Sequence, residues 1–246
     1  IAGAGLIGTI WLWVRIAMVR HPSVTSAPAD AVDEMLDAAS LVLRTPTLIW
    51  LFLGGALTSA SMNTLVAWST SFLQRELDLT LLEAGRRIGP IGLAGGVLGS
   101  YVGGRLGDVL FERWPAGRVI AGAMGFLVGA PICVGMLLAT DVSQFSILFF
   151  LVVFLFTWYN GPIAAVLFDV VPREIGATVM GAYIFFIHIA GDAIALPVVG
   201  FLSDRYGLRP ALLTLPVIGL VGGLILIFAV FTVGRDMERL KSKPPV

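Results

Sequence analysis

Long apolar runs separated by short polar turns dominate this chain. Seven runs stand out, at 1–19, 46–73, 79–104, 117–139, 144–168, 175–202 and 210–233. Each matches the length of about 20 residues that a helix needs to cross a bilayer. Six of them follow closely upon one another, while a longer polar connection, 20–45, sets the first apart. The pattern predicts an all-α membrane protein. Residues 1–19 read as the end of a helix, 20–45 as a linker, 46–233 as a six-helix bundle and 234–246 as a polar tail.

Inside the linker, Val32, Met35, Leu36, Ala39 and Leu43 recur at helical spacing, and Asp30, Asp33, Glu34 and Asp37 crowd the first half. That predicts an amphipathic helix from about Pro28 to Arg44. It reads either as a cytoplasmic strut lying across the membrane surface or as a solvated connector. Thr45 and Pro46 supply an N-cap and a first-turn proline for the next span. Ile1 to Val19 is apolar except for Arg15 and opens like the middle of a helix. It reads as the continuation of a preceding half.

Composition sharpens the picture. Hydrophobic residues make up 57% of the 246 residues and charged residues only 13%, against about 25% charged in soluble domains. Mean hydropathy is +0.93, so the chain reads as a multi-pass integral membrane protein. A formal net charge of zero gives no reason to expect nucleic acid. One cysteine, Cys133, and two distant histidines, His21 and His188, suggest no metal cluster. No nucleophile–base spacing, phosphate loop or cofactor motif appears, and no enzyme is expected. With the linker taken as cytoplasmic, eleven Lys and Arg fall on the inner side and five on the outer. That places the C-terminus inside as well.

The costly residues are the informative ones, since ionisable groups within spans usually face a bundle interior or a watery cavity. His188 and Asp192 sit one turn apart on one helical face. They read as a proton relay or headgroup contact, or else as a hydrogen-bonded pair that locks its helix. Asn63 lies mid-span on one stripe with Ser59 and Thr70, and near Trp68. Trp158 and Asn160 precede Pro162, which cannot bond the Trp158 carbonyl and should kink the helix there. A cavity lined by Asn63, Trp68, Trp158 and Asn160 is one reading of these groups; interhelical hydrogen bonding by the two asparagines is the other. Arg86 and Arg87 lie two turns inside their span, near Glu83. One reading has one arginine snorkelling while the other pairs with Glu83, and the other has them binding an anionic headgroup. Gly85, Gly89, Gly92, Gly96, Gly99 and Gly103 form a single stripe that predicts close helix packing.

A repeat organises the bundle. Gly104-Arg105-Leu106-Gly107-Asp108 and Gly200-Phe201-Leu202-Ser203-Asp204 both read G-x-L-x-D at the end of a span. Three spans separate them, so the copies fall on opposite membrane faces, as two inverted three-helix repeats require. Asp108 with Arg113 or Arg118 then reads as a latch on one side. Asp169, Arg173 and Glu174 on that side, and Asp204, Arg205 and Arg209 on the other, read as further gate ion pairs or as static caps.

The G-x-L-x-D segments resemble the signature loop of the major facilitator superfamily, although Val109 and Glu112 depart from its usual basic residue and glycine. Within that superfamily the chain most resembles the spinster family. The resemblance rests on Val171-Pro172, Ala177-Thr178, Ile187-His188, Gly191-Asp192, Gly200 and Ser203-Asp204. It covers approximately 46–233, and Leu196-Pro197 departs from the usual Ser-Pro. It implies the C-terminal half of a twelve-helix transporter that moves lysophospholipid-like or sphingosine-phosphate-like lipid by alternating access, with protons as a coupling partner. A facilitator exporting drugs or carrying small organic anions stands as the alternative.

Overall fold

The computed structural model describes residues 39–242. The first apolar run, most of the linker helix, Arg15, Arg20 and the last four residues of the tail lie outside the described residues. Within them the protein is helical and has no strand. Helix α1 runs from Pro46–Glu76, α2 from Leu81–Phe111 and α3 from Gly117–Leu137. The fourth span comprises α4 (Val142–Phe156), a 3-10 turn at Thr157–Tyr159, and α5 (Asn160–Asp169). The fifth comprises α6 (Gly176–Phe186), a π turn at Ile187–Asp192, and α7 (Ala193–Tyr206). Then come α8 (Leu208–Leu212), α9 (Thr214–Phe228) and, after one more 3-10 turn, α10 (Val233–Lys241).

These elements match the six runs, with three differences. First, α2 extends to Phe111 and α7 to Tyr206, so both G-x-L-x-D segments lie inside helices rather than in loops. Nothing in them breaks a helix, and Gly107 gives the passing Pro162 ring room. Second, five of the six spans are long and apolar enough to cross a membrane by composition, and α2 is not among them. Its glycines and Arg86, Arg87 and Arg105 dilute the hydropathy of a 31-residue helix. Third, the glycine stripe divides. A Cβ at Gly85, Gly89 or Gly96 would meet nothing within 4 Å, whereas Gly92, Gly99 and Gly103 face the fourth span. Two crossing helices touch along a line that drifts around each surface, so one straight stripe cannot serve for the whole length.

The repeats interleave. Helix α1, first of repeat one, packs on α9, the last of repeat two, and on the π turn in the second helix of repeat two. Correspondingly, α4, first of repeat two, packs on α3 and α2. Phe126 from α3 stacks on Phe156 with ring centroids 4.4 Å apart, and Phe72 from α1 stacks on Phe145 at 5.2 Å.

Two ion pairs repeat the same logic. Arg118, at the start of α3, binds Asp169 at the end of α5 and also Asp108, at 2.9 Å. Arg209, at the start of the last helix of repeat two, binds Glu76 at the end of α1 at 3.1 Å. Each guanidinium also lies over a ring, Phe111 at 4.0 Å and Phe72 at 5.4 Å. A cross-repeat clip therefore closes each end of the bundle. Of the gate pairs read from the sequence, Asp108, Arg118 and Asp169 come together. Arg113, Arg173 and Asp204 make no ion pair among the described residues, and Arg205 lies over Tyr206 at 5.9 Å. Arg209 takes the distant Glu76 because packing α1 against the last span brings their ends together.

The contacts of Gly103 and Arg118 set two expectations for the purified protein. A Cβ at Gly103 would lie 2.8 Å from the Trp158 Cβ and 2.6 Å from its carbonyl oxygen. Gly103→Val should therefore cost about 1–3 kcal/mol or more by overpacking, while Gly96→Ala should be neutral in thermal unfolding. Arg118→Ala leaves two carboxylates without their shared donor and should cost about 1–3 kcal/mol, read as a lowered Tm by the same measurement.

Candidate functional site

The fifth span departs from α-helical geometry where its polar residues lie. Pro197 has no N–H for the Ala193 carbonyl and its ring crowds that carbonyl. One turn earlier the chain takes up an extra residue, and the Ala193 N–H donates to the His188 carbonyl, five residues back. Such π turns occur as single-turn insertions, frequently at functional sites. Gly191, within the turn, meets α1 so closely that a Cβ would collide with the Ala56 carbonyl oxygen. Only glycine allows the two backbones this approach.

That approach delivers Asp192 into α1. Ser59 Oγ donates to Asp192 Oδ1 at 2.9 Å, and Asn63 Nδ2 donates to Oδ2 at 2.8 Å. Asn63 Nδ2 also reaches Ser59 Oγ at 3.0 Å, and His188 Nδ1 lies 2.6 Å from Asp192 Oδ2. Asp192 is only 8% exposed, whereas the His188 side chain is 55% exposed and forms the outer edge of the cluster. A carboxylate buried in a bundle needs hydrogen-bond partners, and Ser59, Asn63 and His188 supply them. Exposed aliphatic and aromatic residues flank His188 along the same span: Phe185, Ile189, Ile194 and Val198. The result is a polar island on an apolar face.

The other sequence candidates lie elsewhere. Trp68 packs toward Gly200 on α7, its ring 3.5 Å from where a Cβ would sit. Trp158 is half-buried against Gly103 and Gly125, and its indole Nε1 has no hydrogen-bond partner among the described residues. Asn160 reaches Ser100 Oγ at 3.4 Å. The four residues read as one cavity thus divide: Asn63 joins Asp192, while Trp158 and Asn160 turn toward α2 and make no hydrogen bond to that cluster. The 3-10 turn before Pro162 aims them there. Arg87 donates to Ser146 and Ser143 at 3.2 and 3.4 Å. Glu83 pairs with neither arginine; it closes a capping box with Thr80 at the start of α2. Arg86 borders two adjoining cavities of about 580 and 630 Å³. The second is lined by Thr70, Leu81, Leu82 and Gly85, and Thr70 continues the Ser59–Asn63 stripe.

Of the four clustered residues, Asn63, His188 and Asp192 stand out in the sequence, and the donor role of Ser59 does not. The i, i+4 and i+11 placement of Ser59, Asn63 and Thr70 was the available signal. The π turn could have been suspected from Gly191 preceding Pro197 by six residues. No cluster of His, Cys, Asp and Glu able to hold a metal is found among the described residues.

Comparisons with known proteins give the architecture its family. Residues 1–191 match the model of the Major Facilitator Superfamily. An MFS-type efflux pump of Mycolicibacterium smegmatis is 31% identical over 204 residues, covering 83% of this chain and 47% of that protein. A D-galactonate transporter of Escherichia coli is 25% identical over 264 residues, covering 94% and 59%. Among solved structures, a bacterial homolog of the human lysosomal transporter Spinster, inward-facing and unoccupied, superposes with a TM-score of 0.74 at 18% identity. That match covers 82% of this chain and 51% of the other. The occupied form gives a TM-score of 0.71 at 17% identity. The chain spans about half the length of the relatives it matches. With one of the two halves' worth of helices, two interleaved triplets and a matching family model, this chain belongs to the Major Facilitator Superfamily.

Proposed function

We propose that this chain is the C-terminal half of a secondary transporter that moves an amphipathic solute by alternating access, coupled to protons at Asp192. The observation that carries the reading is the Asp192 cluster: one buried carboxylate held by Ser59 and Asn63 from α1, with the exposed His188 and Asn63 side chains at its edge. Protonation at Oδ2 turns it into a donor toward His188 Nδ1 and removes the charge that Ser59 and Asn63 of α1 donate to, so both hydrogen bonds from α1 weaken. That loosens the contact between α1 and the fifth span, the two elements whose relative position the cluster fixes. His188 passes the proton between cavity and carboxylate.

The solute follows from what surrounds the cluster. A single polar island amid Phe185, Ile189, Ile194 and Val198 suits a molecule with one charged end and a long apolar body. Arg86, with Arg87 beside it, receives an anionic headgroup at the far end of the Ser59–Asn63–Thr70 stripe. Asn63 and Thr70 are two turns apart, about 10 Å along α1. A lysophospholipid-like or sphingosine-phosphate-like lipid has this form, and the spinster-like I-H-x-x-G-D run supports it. Orientation with the linker and C-terminus cytoplasmic rests on the placement of Lys and Arg.

A second reading, export of amphipathic drugs, is favoured by the likeness to an efflux pump. The same apolar face would serve it, and Arg86 separates the two. Anionic lipid needs that arginine, and a cationic drug does not.

The test is uptake by the full-length protein in proteoliposomes. Asp192→Asn should abolish accumulation driven by a pH gradient, at least about tenfold, a change of about 1.4 kcal/mol, while solute exchange without a gradient persists. Gradient-driven uptake by Asp192→Asn at the wild-type rate would contradict the assignment.

A further inference from the structure

At the end of the bundle where α1 begins, a cavity of about 490 Å³ lies between the chain entering α1 and the helix leaving the last span. Leu41, Val170, Pro172, Ile175 and Leu240 give it an apolar wall, and Arg44 and Arg239 give it two guanidinium groups.

Both arginines are carried on a stiff joint. Asp236 of α10 is buried, and its Oδ2 accepts from the Thr47 N–H at 3.0 Å and from Thr47 Oγ1 at 2.7 Å. Thr232 Oγ1 lies 2.8 Å from Thr47 Oγ1 and completes the joint. Asp236 therefore caps the first turn of α1 from another helix, where Thr45 makes no side-chain cap. On the other wall, Thr45 donates its N–H to the Leu41 carbonyl and accepts from Leu48, which fixes the elbow that carries Arg44.

The charge balance of the cavity is unequal. Among the described residues Asp236 is its one carboxylate, and Oδ2 is occupied by Thr47. Arg239 approaches Oδ1 only at 3.8 Å, and its side chain is 72% exposed. Arg44 makes no ion pair among the described residues. Outside the cavity, α10 adds Arg235 and Lys241 against Glu238. Buried Val233 and half-buried Met237 and Leu240 anchor its other face. Two guanidiniums above an apolar wall, at the level where one span enters the membrane and another leaves it, match a phosphate headgroup with its acyl chains below.

We propose that this cavity binds the phosphodiester headgroup of an anionic membrane lipid, and that the bound lipid ties α10 to the start of α1. The site lies at the opposite end of α1 from Arg86 and does not depend on which solute is transported.

Titration of the full-length protein in neutral detergent with dioctanoyl phosphatidylglycerol, dioctanoyl phosphatidylcholine and glycerol 3-phosphate tests it. Phosphatidylglycerol should bind saturably, phosphatidylcholine far more weakly and glycerol 3-phosphate not measurably. Arg44→Gln and Arg239→Gln should each weaken phosphatidylglycerol about fivefold, the share of one basic side chain at an anionic surface. Arg235→Gln, on α10 but outside the cavity, should leave binding unchanged. Because Arg239 is exposed, its substitution does not threaten the fold and suffices if Arg44→Gln does not accumulate. Equal binding of the two lipids, or binding that survives both substitutions, would overturn the proposal. So would glycerol 3-phosphate binding as tightly as lipid, which would mark a site for soluble phosphate. No binding at all by the wild-type protein would overturn it as well.

Discussion

The bundle depends on one close approach, that of the π turn to α1. Gly191 brings the backbones together at Ala56, and Asp192 then reaches Ser59 and Asn63. A charge placed inside a bilayer-spanning bundle is tolerated only where other polar groups meet it. Here those groups come from the neighbouring helix, so the position of the fifth span against α1 is written into a set of hydrogen bonds. Apolar packing alone would hold these helices equally well in several registers, because lipid tails are as apolar as the side chains that replace them. The polar cluster selects one register, and in the proposed mechanism a proton on Asp192 loosens it.

The remaining contacts tie that approach into one bundle. The interleaving of the repeats puts the first helix of each against the last helix of the other. Arg118 and Arg209 close the two ends of the bundle in corresponding positions, each bridging from one repeat to the other. Asp236 fixes the start of α1 from α10. In the proposed alternating-access cycle such rigidity lets a local change at one site displace the whole bundle.

Much of this was legible in the sequence because hydrophobic runs and repeat spacing are local signals. The six spans and the G-x-L-x-D pair mark the fold, and His188 with Asp192 marks the costly site. What was not legible depends on which helix faces which. The glycine run of α2 reads as one stripe, but the crossing with the fourth span uses Gly92, Gly99 and Gly103 and leaves Gly85, Gly89 and Gly96 open. Glu83 reads as a partner for Arg86 or Arg87 because it is near in sequence; the unpaired N–H groups at the start of α2 draw it to Thr80 instead. Trp158 and Asn160 resemble cavity residues by type, but the 3-10 turn rotates them toward α2. The π turn adds a residue without any change in hydropathy, so periodicity is blind to it.

The claim at the centre of this account is that Asp192 exchanges a proton while it holds α1. Infrared difference spectroscopy of the full-length protein on acidification reads this directly. The account predicts a carboxyl C=O band that Asp192→Asn removes and that Asn63→Ala shifts, because Asn63 donates to that carboxylate. Identical difference spectra for wild type and Asp192→Asn would contradict it.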